Sequence, residues 1–170
     1  MTGQACTYVT AGWGVHDKRW TEALRSCGFT VDSISLERDE ISIDEVLAHL
    51  QRTSHPILAG PLLTVTKGLL DTSAPLFGLS WGFDLVQAKD SHEDLSWLKR
   101  LSGLIVDSEY TSRIALRSGM QTSQVHRIPW GIDLETFTPD GPTLTPAELG
   151  VPENSRIIVS LRALEPLYRV

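Results

Sequence analysis

Seven short apolar runs, each closed by a breaker and most separated by helical patterns, constrain this chain more than any other feature. They are Cys6 to Ala11, Thr30 to Leu36, Ile57 to Ala59, Leu76 to Ser80, Gly103 to Asp107, Val125 to Ile128 and Arg156 to Leu161. Strands this short and apolar are buried on both faces, so their sheet needs helices on each side. Right-handed crossovers then make a doubly wound parallel sheet the natural solution. The expected fold is α/β and Rossmann-like.

The intervening stretches carry helix signals. Trp20, Ala23, Leu24 and Cys27 recur at helical spacing after Asp17, a capping candidate, and Gly28 stops the run. Ser42 and Glu45 form a capping box, with Ile43, Val46, Leu47 and Leu50 as the apolar stripe behind it. Ser108 is placed to cap a helix that ends at Gly119 in the left-handed conformation. Pro139, Asp140, Gly141 and Pro142 break the pattern. The expected organisation is therefore a domain over 1–139 and a linker over 140–155 that includes a capped turn at Thr145-Pro146-Ala147-Glu148. Residues 156–170 follow as the first strand and loop of a second domain.

At 170 residues and 41% apolar content the chain can bury a core, and about one domain of 100 to 150 residues is expected. No run approaches the roughly 20 apolar residues of a membrane span, and Met1 to Cys6 lacks the regions of a secretory leader, so a cytoplasmic protein is expected. A net charge of −6 without long charged runs argues against a nucleic-acid surface and favours a small molecule or glycan as partner. Cys6 and Cys27 offer neither a disulfide framework nor metal-ligand spacing, and both read as small core residues.

Ligands of open α/β sheets sit at the carboxyl ends of the strands, which directs attention to the loops there. The first is Gly12-Trp13-Gly14-Val15-His16-Asp17. Its glycines let backbone N–H groups approach an anion, and a helix beginning at Asp17 would add its positive end, so a pyrophosphate or a sugar fits. The plainer account is a tight turn and nothing more. His16 is the candidate catalytic group, able to bind or deprotonate a hydroxyl. His49, His55, His92 and His126 read as structural or solvated, with His92 at a helix start. After the third strand comes Gly60-Pro61, and after the fourth Ser80-Trp81-Gly82-Phe83-Asp84. There Asp84 can meet sugar hydroxyls and Trp81 offers a flat apolar face, or else Trp81 is core and Asp84 a helix cap.

The densest signature is GLIVDSEYTSRIALRSGMQTSQVHRIPWGIDLETFTP, from Gly103 to Pro139. It resembles the close of the N-terminal domain in family-4 glycosyltransferases, whose strand, Gly-ended helix and I-P-x-G-(I/V)-D-x-x-x-F-x-P loop lead towards a second domain. Ile128, Pro129, Gly131, Ile132, Asp133, Phe137 and Pro139 match that loop in order. The resemblance covers most of residues 5 to 165 and implies the acceptor-side half of a two-domain enzyme of GT-B type, cut just past the linker. Such an enzyme moves a sugar from a nucleotide sugar to a hydroxyl acceptor with retention, without a metal and without a further cofactor.

The resemblance also assigns residues. It sets Gly12, Trp13 and Gly14, in place of the family's adjacent glycines and Glu, on the cleft, together with Ser80, Trp81, Gly82, Asp84, Trp130 and Gly131. Arg162 matches the family Arg that contacts the donor diphosphate. Leu167 and Tyr168 replace a common Lys-Gly, leaving Arg169 as a second cation. A polysaccharide or lipid-linked acceptor is compatible, the latter bringing the enzyme to a membrane surface without an anchor. The isolated half is expected to be inactive, and the strand from Arg156 to Leu161 to pack on a neighbour or a second copy.

Two rivals stand on residues. Gly78-Leu79-Ser80-Trp81-Gly82 matches the G-x-S-x-G elbow of α/β serine hydrolases, and Asp107 and His126 complete a Ser, Asp, His order. Against it, the stretch after Ser80 reads as loop with a helix cap only near Ser91, and His126 lies in a strand. The second rival is a nicotinamide-binding oxidoreductase module. Gly12-x-Gly14 follows the first strand and Glu37 the second, but the third glycine is replaced by Asp17.

Overall fold

The computed structural model describes residues 4–141 and 143–158. The chain divides into two units after Trp130. The first contains the parallel strands β1 (Ala5–Thr10), β2 (Thr30–Ser35), β3 (Ile57–Gly60), β4 (Leu76–Leu79), β5 (Gly103–Val106) and β6 (Val125–Arg127). Its α-helices are α1 (Val15–Ser26), α2 (Ile43–Leu50), α3 (Phe83–Asp90) and α4 (Glu109–Arg117). A π-helical turn at Leu62–Thr66 and a 3-10 turn at Lys67–Leu69 carry the chain from β3 to β4.

The sheet order is β2-β1-β3-β4-β5-β6, with every pairing parallel. Winding leaves β1 in one direction towards β2 and in the other towards β3, the doubly wound plan with its switch point between β1 and β3. This bears out the α/β, Rossmann-like expectation. Six of the seven expected strands form, with ends that differ from the apolar runs by a residue.

The two faces are covered unequally. One buries Val9, Ile57, Ala59, Leu76, Leu104 and Val106 under α2, the Leu62–Leu69 turns, α3 and α4. The other buries Tyr8, Leu58 and Leu79, and α1 packs on it through Trp20 and Leu24. Local signals explain the helices on the thicker face. Ser42 Oγ accepts from Glu45 N–H while the Glu45 carboxylate accepts from Ser42 N–H, which fixes the start of α2. Ser108 Oγ accepts from Thr111 N–H at the start of α4, and Gly119 follows that helix at φ +95°.

Several expectations are corrected. Gly14 is the N-cap of α1 and Val15 its first residue, so Asp17 sits a turn inside rather than at the cap. The buried face of α1 is Asp17 and Thr21, flanked by Trp20 and Leu24, whereas Ala23 and Cys27 are exposed. Tyr8 causes this: fully buried beneath the helix, it donates its phenol to Asp17 Oδ1 at 2.9 Å and draws a polar residue inward. Cys6 is buried as expected. A helix also begins at Phe83, directly after Ser80-Trp81-Gly82, and none is capped at Ser91. His92 stands beyond the end of α3 at φ +57°.

The second unit, Gly131–Val170, is built of turns over its described residues. Asp133 accepts from Glu135 N–H, Thr136 N–H and Thr136 Oγ1, and Thr145 and Glu148 cap one another as the sequence suggests. The Thr145 N–H and hydroxyl hold the Glu148 carboxyl below its ordinary range. Residues 131–139, read from sequence with the first domain, fall in this unit. Arg156 to Ile158 have no regular structure, and the rest of the expected strand to Leu161 lies outside the described residues with Arg162 and Arg169. Among the described residues no helix is long and apolar enough to cross a membrane.

Candidate functional site

The carboxyl ends of β1, β4 and β6 bring three sequence-selected residues together. His16, in the first turn of α1, has its ring 5.7 Å from that of Trp81 and 4.6 Å from that of Trp130. The two indoles lie 6.1 Å apart at 66°, and Trp20 closes on Trp130 at 6.4 Å. These edge and tilted arrangements are the ones aromatic quadrupoles favour. Trp130 is just beyond β6, so the group spans the sheet edge, and it is one that no local periodicity announces.

Two nitrogens in this group have no hydrogen-bond partner among the described residues, although both are buried: His16 Nδ1 and Trp81 Nε1. Leaving a buried donor unpaired costs about 1 to 3 kcal/mol, so such atoms ask for a partner that the described residues do not supply. Gly60 makes the arrangement possible. A β-carbon there would lie 3.1 Å from Trp81 Nε1 and 2.6 Å from the Leu79 carbonyl oxygen, so the end of β3 stays bare.

The loop after β4 is arranged differently from its sequence reading. Asp84 is 2% exposed. Its Oδ1 accepts from Ser80 Oγ at 2.7 Å and Leu85 N–H at 2.8 Å, and its Oδ2 from Leu62 N–H at 3.0 Å and Trp81 N–H at 3.2 Å. Ser80 Oγ also accepts from Gly82 N–H at 3.0 Å. Both side chains are spent holding the loop, so the expected contact of Asp84 with sugar hydroxyls gives way to the cap-like reading, and Trp81 alone is left to face a ligand. Gly82 serves the turn itself: it sits at φ +80°, and its β-carbon would lie 2.5 Å from Asp107 Oδ2.

The same geometry bears on the hydrolase rival. A helix does follow Ser80 closely, contrary to the sequence reading, but the hydroxyl is buried and donates to the Asp84 carboxylate instead of a histidine. Ser80 also lacks the positive φ found at Gly82.

Around the first loop, Asp17 Oδ2 accepts from Gly14 N–H at 2.7 Å. The N–H that was expected to greet an anion is taken. Burial, and then the Asp17 carboxylate, push the Tyr8 phenol well above its ordinary pKa, so Tyr8 keeps its proton and donates it. On the β2 side the Glu37 carboxylate lies over Gly12, 2.9 Å from where a β-carbon would be. Trp13 packs edge-on to Tyr8 at 6.4 Å and carries the Arg38 guanidinium 4.5 Å above its ring. Gly131 belongs to the second unit.

A groove of about 570 Å³ lies elsewhere, along α4 and the end of α3, lined by Lys89, Glu93, Leu95, Tyr110, Arg113 and Arg117 among others. It includes none of the strand-edge residues above. Lys89 and Arg117 are last-turn cations that answer the negative ends of their helices, which accounts for them without a ligand. Compared with known proteins, the chain matches no family model and no curated protein.

Proposed function

We propose that the chain is the acceptor-side lobe of a family-4-like, GT-B glycosyltransferase, which receives a hydroxyl acceptor and, with a second lobe, a nucleotide-sugar donor. The observation that carries this reading is the pair of buried, unpartnered nitrogens, His16 Nδ1 and Trp81 Nε1, set among three aromatic rings at the switch-point edge. A sugar offers what the group lacks. Its hydroxyls accept from an indole N–H and pair with an imidazole nitrogen, while its C–H faces lie against aromatic rings.

In this account His16 orients the acceptor hydroxyl and takes part in moving its proton, Trp81 and Trp130 hold the ring, and Arg162 and Arg169 steady the donor diphosphate. Transfer is retaining and needs no metal, as the resemblance implies, and the enzyme works in the cytoplasm or at a membrane surface.

The test is equilibrium binding of neutral pyranosides followed by tryptophan fluorescence. Binding that is lost in His16→Ala and in Trp81→Phe supports the reading, and pyranosides that leave the fluorescence unchanged overturn it. A serine-directed fluorophosphonate probe should leave Ser80 unlabelled, and labelling would revive the hydrolase.

A further inference from the structure

We propose that Trp130 is a lid on the strand-edge site: it shuts His16 in when no ligand is bound, swings out to admit a sugar ring and settles back over it. The inference rests on the carbohydrate reading above and adds to it how the site is opened.

Three observations carry it. First, the rings of His16, Trp81 and Trp130 already touch one another, with centroids 4.6, 5.7 and 6.1 Å apart. These are the spacings of direct ring contact, and they leave no gap for a pyranose. His16 Nδ1 and Trp81 Nε1 are sealed from solvent as well. A sugar that is to meet them therefore needs one of the three rings to leave. Second, two of the rings are fixed. His16 belongs to the first turn of α1. Trp81 donates its backbone N–H to Asp84 Oδ2 at 3.2 Å, and its ring packs against the core group of Tyr8, Leu58 and Leu79. Third, Trp130 is the one free to move. It packs against neither core group, is 36% exposed and lies on a stretch without regular structure, where the first unit ends. Just before it, Ile128 N–H donates to the Val106 carbonyl at 2.8 Å, but Pro129 has no N–H with which to continue the ladder. The His16 contact that Trp130 would break is the closest ring pair among the described residues, so the closed state is held and yet lies at the edge of the fold.

The experiment has two arms on the full chain. In the first, stopped-flow tryptophan fluorescence follows methyl pyranosides of glucose, galactose and mannose as they associate with wild type and with Trp130→Ala. Opening precedes binding in the wild type, so the observed rate for the sugar that binds should level off as its concentration rises. In Trp130→Ala the rate should keep rising linearly, with association about tenfold faster and dissociation faster too. A linear rate in the wild type, or a plateau that survives in the variant, would overturn the lid. Trp130 lies outside the core, so the variant should fold, and an unchanged unfolding midpoint checks this. The second arm needs neither ligand nor variant. Relaxation dispersion on the free wild-type chain should show microsecond-to-millisecond exchange at the ring signals of Trp130 and His16 and none at Trp97, which packs on the thicker face. Pyranoside binding with a linear rate sinks the lid and spares the carbohydrate reading. Absence of binding by every pyranoside sinks the carbohydrate reading, and flat dispersion profiles at Trp130 and His16 then sink the lid with it.

Discussion

The loops after β1 and β4 are built from the same parts and put to different ends. Each runs Trp-Gly into a helix, with Gly14 or Gly82 as the N-cap, and each buries an aspartate within the first turn, Asp17 or Asp84. Each also has a glycine pressed by a carboxylate from the end of the neighbouring strand, Glu37 on Gly12 and Asp107 on Gly82. The difference lies in how many donors their carboxylates hold. In the β4 loop four donors converge on Asp84, and Asp107 accepts from Thr111 Oγ1 at 2.8 Å. In the β1 loop two donors reach Asp17, Glu37 is left open, and His16 Nδ1 lacks a partner. The aspartate of the β4 loop is therefore scaffold, while each loop still leaves one buried nitrogen open among the described residues, Trp81 Nε1 after β4 and His16 Nδ1 in the first turn of α1.

The sharpest break of this comparison is Asp84→Ala. Stranding four donors, most of them buried, should cost about 4 kcal/mol or prevent folding, read from the denaturant midpoint. Asp17→Ala strands two and should cost about 2 kcal/mol by the same measurement. Equal costs would erase the distinction between the loops. Ser80→Ala should cost about 1 to 2 kcal/mol and leave pyranoside binding intact, because its hydroxyl works inside the loop.

A pH test follows from Tyr8. The folded state holds the phenol proton above its ordinary value of 10.0, through burial first and Asp17 second. The unfolded chain therefore gives up that proton at lower pH than the folded one. Stability from this group is complete below pH 10.0 and declines as pH rises beyond it. Tyr8→Phe should flatten that alkaline decline. The smallest stability effect belongs to His16→Ala, within about 1 kcal/mol, since its Nδ1 bonds nothing among the described residues. Its effect should appear in ligand binding instead.

Much of the scaffold was legible from residue order. Apolar runs between breakers located six strands, and Ser42 with Glu45, Ser108, Gly28 and Gly119 marked helix ends that form as read. The failures share a cause. Periodicity counts apolar residues, so it misplaces a helix that buries an aspartate: it puts the wrong stripe and start on α1 and reads α3, whose inner face includes Asp84 with Leu85 and Ala88, as loop. The site was half legible. Strand-end position singled out His16 and Trp81, and Trp130 came from the loop resemblance, but their meeting depends on chain segments more than a hundred residues apart. Ser80 and Asp84 have side chains suited to sugar hydroxyls, but in the fold each is already bonded to the other. Glu37 entered merely as the residue after β2, and its place over Gly12 appears only once β1 and β2 are paired.

The most direct test follows the indole N–H signal of Trp81 while a neutral pyranoside that binds the chain is added. A ligand oxygen arriving at Nε1 should move that signal saturably, with the ring signals of His16 and Trp130 following at the same midpoint. A pyranoside that binds yet leaves the Trp81 signal still, and shifts instead the residues lining the groove along α4, would contradict the assignment of the β1, β4 and β6 edge as the place where carbohydrate is received.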